Sequence, residues 1–282
     1  MTVYPRLFLL FIIYSFFGWC SEVLYVGIFV EHKFVNRGFL HGPICPIYGF
    51  GGLIVMYGLR NWNGSWIGLF FASAFFCSVL EYLTSWILET LFQTKWWDYS
   101  DQKFNLNGRI CLLNSFLFGI MGVLCTYYVQ PLLVSLVMLL SDNTAEWTAD
   151  AVLAALVTDF LITLRRLVAF STTLGKFKEF TESLQERFST DTWFKNSSIA
   201  EMFASIKKQA ESHRGQFSQT LLDKVESFSS HQRNAESFLR RFPTMTSSIY
   251  KLPLAHFKTR LAEEVAEKKA LAKARHDSRK NR

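Results

Sequence analysis

Residues 66–92 read WIGLFFASAFFCSVLEYLTSWILETLF. A helix crosses the hydrocarbon core of a bilayer with about 20 mostly apolar residues, and this run exceeds that length. Its charged side chains are Glu81 and Glu89. With Ser85 they fall at i, i+4 and i+8, a polar stripe on one helix face, with Cys77 and Ser78 just above it. Further runs flank this one. Leu7–Val30 carries one charge, Glu22. Ile44–Leu59 is shorter and holds Pro46, Gly49, Gly51, Gly52 and Gly58, so a kinked span or a helix broken at its start is expected. Ile110–Val129 has no charge. Pro131 interrupts the chain after that run, and Leu132–Leu140 is too short to cross, so it reads as an interfacial or re-entrant helix. Trp147–Leu164 is the fifth run; it carries Asp150 and Asp159 and ends on Arg165 and Arg166. The expected fold is all-α: a polytopic integral membrane protein with about five transmembrane helices in residues 1–170. Residues 171–282 are expected to form a soluble, cytosolic helical region.

Charge separates the same two regions. Before residue 171 there are nine Lys and Arg against ten Asp and Glu. From Ser171 onward there are 21 basic and 13 acidic residues, so the net +7 of the chain belongs to the tail. A basic tail beside a bilayer is expected to meet anionic lipid head groups rather than nucleic acid, and no nucleic-acid-binding motif is present. Phe177, Phe180, Leu184 and Phe188 recur at helical spacing. So do Phe217, Leu221, Val225 and Phe228, and then Phe257, Leu261 and Val265. These stripes predict amphipathic helices that pack on one another or lie on a membrane surface. Lys268 to Arg282 reads as a basic, frayed end.

Basic residues in short loops set the orientation. With the N-terminus outside, Lys33, Arg37, Lys95, Lys103, Arg109, Arg165 and Arg166 fall inside, against Arg6 and Arg60 outside. The expected placement is the cell membrane, multi-pass, with the tail in the cytoplasm. Leu7–Val30 is too long for the core of a cleavable signal and reads as a retained span. The five cysteines, Cys20, Cys45, Cys77, Cys111 and Cys125, lie in or beside apolar runs with no zinc spacing, and free buried thiols are expected.

Charges within spans are costly and face protein or a wet cavity. The candidate intramembrane site is therefore Glu22, Glu81, Glu89 and Asp159. Glu22 and Glu81 would share a cavity that takes a cation, a proton or a polar head group; the alternative is protonated carboxyls serving as packing glue. His41, in the first connection, could join Glu22 or Glu81 as a metal or proton site, or be purely structural. That connection runs Asn36-Arg37-Gly38-Phe39-Leu40-His41-Gly42-Pro43-Ile44-Cys45-Pro46. Its prolines and glycines suggest shaped backbone entering the membrane, which survives there only under protein cover or along a cavity. In the second connection, Arg109 could clamp Asp98, Asp101 or a lipid phosphate, beside Trp96, Trp97 and Tyr99. No GxxxxGK[ST], HExxH or Gly-x-Ser-x-Gly motif occurs, so neither an ATPase of its own, nor an enzyme, nor a cofactor is expected.

Four of these stretches carry a resemblance. They are Gly18-Trp19-Cys20-Ser21-Glu22, Asn36 to Pro43, Trp97-Asp98-Tyr99-Ser100 and Asn107-Gly108-Arg109-Ile110-Cys111-Leu112. In that order they resemble the bacterial family named putative ABC-transporter type IV, or CmpB-like, over roughly residues 7 to 168. A vertebrate transmembrane family is similar too. Phe118-Gly119 stands where the family pattern has Trp-Gly. The run Phe242-Pro243-Thr244-Met245 resembles the tails of some members. The resemblance implies a five-span, permease-like membrane protein of Gram-positive type; the intramembrane carboxylates and irregular loops suggest that it handles a polar or cationic solute or a lipid. Its partners would be membrane lipids and a separate ATPase subunit. A membrane scaffold or lipid sensor whose tail recruits a cytosolic partner is the second reading, and an intramembrane enzyme using Glu22, His41 and Glu81 the third.

The orientation is testable by labelling single cysteines, Asn63→Cys or Asn105→Cys, in a variant lacking the five native thiols. An impermeant reagent added outside is expected to reach position 63 and not position 105. The opposite pattern reverses the topology.

Overall fold

The computed structural model describes residues 3–30, 34–59, 65–188 and 238–251, and after these 253–255, 257–259, 261–263, 265–266 and 270. Helix α1, Val3–Tyr25, continues as a π-turn over Val26–Val30. Helix α2, Pro46–Leu53, likewise continues as a π-turn over Ile54–Gly58. Helix α3 is Trp66–Phe92, with the Ser65 hydroxyl capping its first turn by accepting from Gly68 N–H. A hairpin of β1, Asn105–Leu106, and β2, Ile110–Cys111, comes next. Helix α4, Leu112–Leu124, passes through a π-turn, Cys125–Val129, into α5, Gln130–Met138. Helix α6 is Asp142–Phe188.

Three helices among the described residues are long and apolar enough to cross a membrane: Val3–Ile28, Trp66–Phe92 and Leu112–Met138. The third corrects the expectation at Pro131. There is no separate re-entrant piece; the helix runs straight through. Proline lacks an N–H and crowds the carbonyl four residues back. The π-turn just before it widens the helix, with Gln130 N–H reaching Cys125 O, and the ring is accommodated. Pro46–Gly58 is apolar but short, about 20 Å at 1.5 Å per residue.

The chain divides into two compact units, residues 1–167 and 168–282. In the first, α2 packs on α1 and α4 on α3, and both pairs close through small residues. A side-chain carbon at Gly18 would meet the Tyr48 ring, one at Gly49 would meet Ser15 and Phe11, and one at Gly52 would meet Tyr14. Gly119 takes Phe70 and Gly122 takes Ser73 in the same way. Small residues let helix backbones approach where lipid supplies no hydrophobic drive. Leu10, Tyr14, Met56, Leu133 and Val137 form one core cluster, and Val55, Leu59 and Leu69 another. Arg6, buried, donates to Asp142 at 2.6 Å and to the Leu140 carbonyl at 2.8 Å, tying α1 to the start of α6. That bond holds the Asp142 carboxyl below the usual carboxylate range.

In the second unit, Phe177, Phe180 and Phe257 of the expected stripes are buried, with Leu261 and Val265 half-buried. Phe177 lies 5.4 Å from Phe257 between ring centroids, and Phe170 lies 5.2 Å from Phe238. The stripe from Phe217 to Phe228 falls outside the described residues.

Gly122→Leu is expected to force α3 and α4 apart at Ser73, costing about 1–3 kcal/mol by overpacking. Gly58→Ala, where no atom lies within 4 Å, should leave stability unchanged. Thermal denaturation in detergent separates the two, and equal midpoints would show that the close approach is not needed.

Candidate functional site

The two irregular connections meet. The Phe39 ring packs edge-on to buried Trp96, with centroids 5.6 Å apart. Around that contact the candidate side chains fall into three groups.

The first group fastens the first connection. Asn36 Oδ1 accepts from Gly38 N–H at 2.9 Å, an Asx-turn, and from the Trp19 indole at 2.8 Å. Asp159 of α6 accepts from two consecutive backbone amides, His41 at 2.9 Å and Gly42 at 2.8 Å. Thr163 joins at 3.2 Å from His41 N. A side chain at Gly42 would stand 2.9 Å from Asp159 Oδ2, so glycine leaves room for the carboxylate. The His41 ring faces Arg166, with Nδ1 2.9 Å from its guanidinium. The backbone bonds to Asp159 turn His41 toward α6. No cluster of three or more His, Cys, Asp or Glu among the described residues could hold a metal ion.

The second group fastens the second connection. Arg109 donates to Glu89 at 2.7 Å and to the Tyr82 hydroxyl at 3.0 Å, with its guanidinium 5.1 Å above the Tyr82 ring. Desolvation opposes the guanidinium charge, but the Glu89 carboxylate outweighs it and the Arg109 pKa rises. The expected clamp on Asp98 or Asp101 is replaced because Asp98 is already used: it accepts from Ser100 N–H and Oγ. The hairpin turns on Asn107 and Gly108, both at positive φ, where glycine is favoured. The Trp97 indole donates to the Arg109 carbonyl at 3.0 Å.

The third group lies between the helices. Tyr48 of α2 donates to Glu22 at 2.7 Å, and Arg37 stands 3.7 Å from the other oxygen of that carboxylate. Tyr99, carried on the second connection, reaches Glu81 at 3.2 Å. Glu81 is 6% exposed, with Asn114 beside it and Glu22 within electrostatic range. Burial, then the Glu81 and Glu22 carboxylates, push the Tyr99 phenol well above its usual range. Cys45 and Cys111 are buried and all five thiols are free.

All three groups lie within residues 9–164 but for Arg166, and this is the stretch matched by the model of the family described as Putative ABC-transporter type IV. The chain belongs to that family. No curated protein and no solved structure matches it. Within this family member, Tyr48, Asn36 and Thr163 carry roles that spacing along the chain does not signal. For Asn36 the Asx-turn before Gly38 was a readable cue.

Asp159→Ala leaves two amides without their charged acceptor, and a loss of about 1–3 kcal/mol is expected. Hydrogen exchange should speed up at His41 and Gly42 and not at Trp97 or Tyr99. Unchanged exchange at His41 would show that Asp159 does not hold the connection.

Proposed function

We propose that this chain is the membrane-embedded, permease-like part of a transporter, moving a polar or cationic solute or a lipid, with ATP hydrolysis supplied by a separate subunit. Family membership and three bilayer-length helices support the setting. The observation that carries the reading is the buried Glu81, reached by Tyr99 from a connection outside the helices. A hydroxyl carried on a loop can gate access of a solute to that carboxyl. Five crossings would result if Pro46–Gly58 and the Trp147–Leu164 part of α6 also traverse the bilayer. With the N-terminus outside, Arg37, Lys95, Lys103 and Arg109 then face the cytoplasm with the tail.

The tail favours a second reading. Its 21 basic residues against 13 acidic suit a lipid sensor or a scaffold for a cytosolic protein.

The test uses the full chain in inside-out membrane vesicles from its own host, probed with tetramethylammonium, spermidine and a fluorescent phosphatidylethanolamine. One probe is expected to move in an ATP-dependent way. Tyr99→Phe should slow it at least tenfold without altering insertion. An ATP-hydrolysing protein should co-purify with the chain. Movement of no probe, with no such partner, overturns the transport reading. If residues 171–282 retain a cytosolic protein instead, the scaffold reading replaces it.

A further inference from the structure

The approaches to α2 and α4 recur in sequence. Gly42-Pro43-Ile44-Cys45 precedes one, and Gly108-Arg109-Ile110-Cys111 the other. Both cysteines are buried and stand in extended backbone before the first helical residue, with φ −116° and −140°. Each helix then folds back on its predecessor, α2 on α1 and α4 on α3. Three residues beyond each cysteine a polar side chain meets a glutamate of that predecessor: Tyr48 meets Glu22 and Asn114 meets Glu81. The two helix–loop–helix segments share this arrangement, their loops touch at Phe39 and Trp96, and Glu22 and Glu81 are the glutamates that face the third residue after each cysteine.

The segments differ in charge. Arg37 balances Glu22 in the first. In the second, the arginine is taken by Glu89, and Glu81 meets only the neutral donors Tyr99 and Asn114. Its Oε2 is buried with no hydrogen-bond partner. Ser85, one turn along the same face and 1% exposed, also has an unpartnered Oγ. Two orphaned oxygens thus stand where the first segment has a cation nearby.

The geometry points to Glu81, with Ser85 and the Tyr99 hydroxyl, as the binding site of one monovalent cation that exchanges with a proton. The inference deepens the transport reading, on which it rests for its physiological role, by naming the ion that the site would couple. Valence follows from charge: Glu22 is balanced by Arg37, so ionised Glu81 adds a single negative charge. Class follows from the ligands, since carboxylate and hydroxyl oxygens are hard donors suited to alkali cations. Without such an ion the carboxyl keeps its proton, because an unpaired charge in that position is costly. On binding, the Glu81 O–H bond breaks, the proton leaves to water and the cation takes its place; no electrons transfer. The groups around Glu81 are Glu22 of α1, Tyr99 of the second connection with Tyr48 of α2 near it, Cys77 of α3 and Asn114 of α4.

The full chain in lipid nanodiscs, lightly buffered, tests this by replacing N-methylglucamine chloride with sodium or potassium chloride at constant ionic strength. Release of one proton per chain is expected, with the infrared band of a protonated carboxyl giving way to that of a carboxylate. Glu81→Gln should abolish both signals and Asp150→Asn should keep them. Ser85→Ala should raise the half-saturating cation concentration at least tenfold while the protonated band persists in N-methylglucamine. No release from the wild-type chain, or release from Glu81→Gln, overturns the site. So does an unchanged half-saturation in Ser85→Ala, which decides the matter if Glu81→Gln does not fold. ATP-dependent probe movement without ion exchange would overturn this site and leave the transport reading standing.

Discussion

Two backbone amides bonded to one carboxylate fix the geometry on which the loop end depends. Asp159 accepts from His41 and Gly42, and so converts a proline- and glycine-rich connection into a defined shape. Cys45 N–H then reaches Ser15 O at 3.1 Å, which docks the start of α2 against α1. That docking brings Tyr48 to Glu22. The same connection presents Phe39 to Trp96, and Trp96 belongs to the segment that delivers Tyr99 to Glu81. The constraint behind this is general. Irregular backbone near lipid must find its hydrogen bonds within the protein.

Close helix packing is the second requirement. Between apolar helices in lipid, contact is won by dispersion and by polar atoms that meet across the seam. Gly49 and Gly52 open α2 to α1, and Gly119 and Gly122 open α4 to α3. Ser78 and Ser115 bond across the second seam at 2.7 Å. A larger residue at any of these glycines would separate helices whose carboxyls and donors must meet within about 3 Å. The packing of the spans and the polar cluster are therefore one problem, not two.

Features were legible in the sequence to the extent that their signals are local. Trp66–Phe92 was readable to the residue, because the apolar length that marks it is local. Pro131 misled, because the usual effect of proline is local while its accommodation by a preceding π-turn is not. The strands joined by the Asn107-Gly108 turn are two residues each, too short to leave a periodic trace. The acidic residues of the site stood out, since charge in an apolar run is conspicuous. Their partners did not. Arg109 lies near Asp98 and Asp101 in sequence, yet Glu89, twenty residues back, meets it in space. His41 likewise pairs with α6, more than a hundred residues on.

The asymmetry between the two carboxyls ties ionisation to loop position. Tyr99 sits on a connection held by its own bonds: its amide donates to Gly108 O at 2.8 Å, and Lys95 to Asn107 O at 3.0 Å. Its hydroxyl is therefore a lever from that connection into the helices. A hydrogen bond to an ionised carboxylate is roughly twice as strong as one to a neutral acceptor. Exchange of the Glu81 proton for a cation would thus tighten the lever, and reprotonation would loosen it. Glu22 cannot serve this way, because Arg37 already fixes its charge and Tyr48 belongs to a helix rather than to a loop. Of the two carboxyls, Glu81 alone bonds a side chain carried on the second connection, so its charge acts on that segment as well as on the helices.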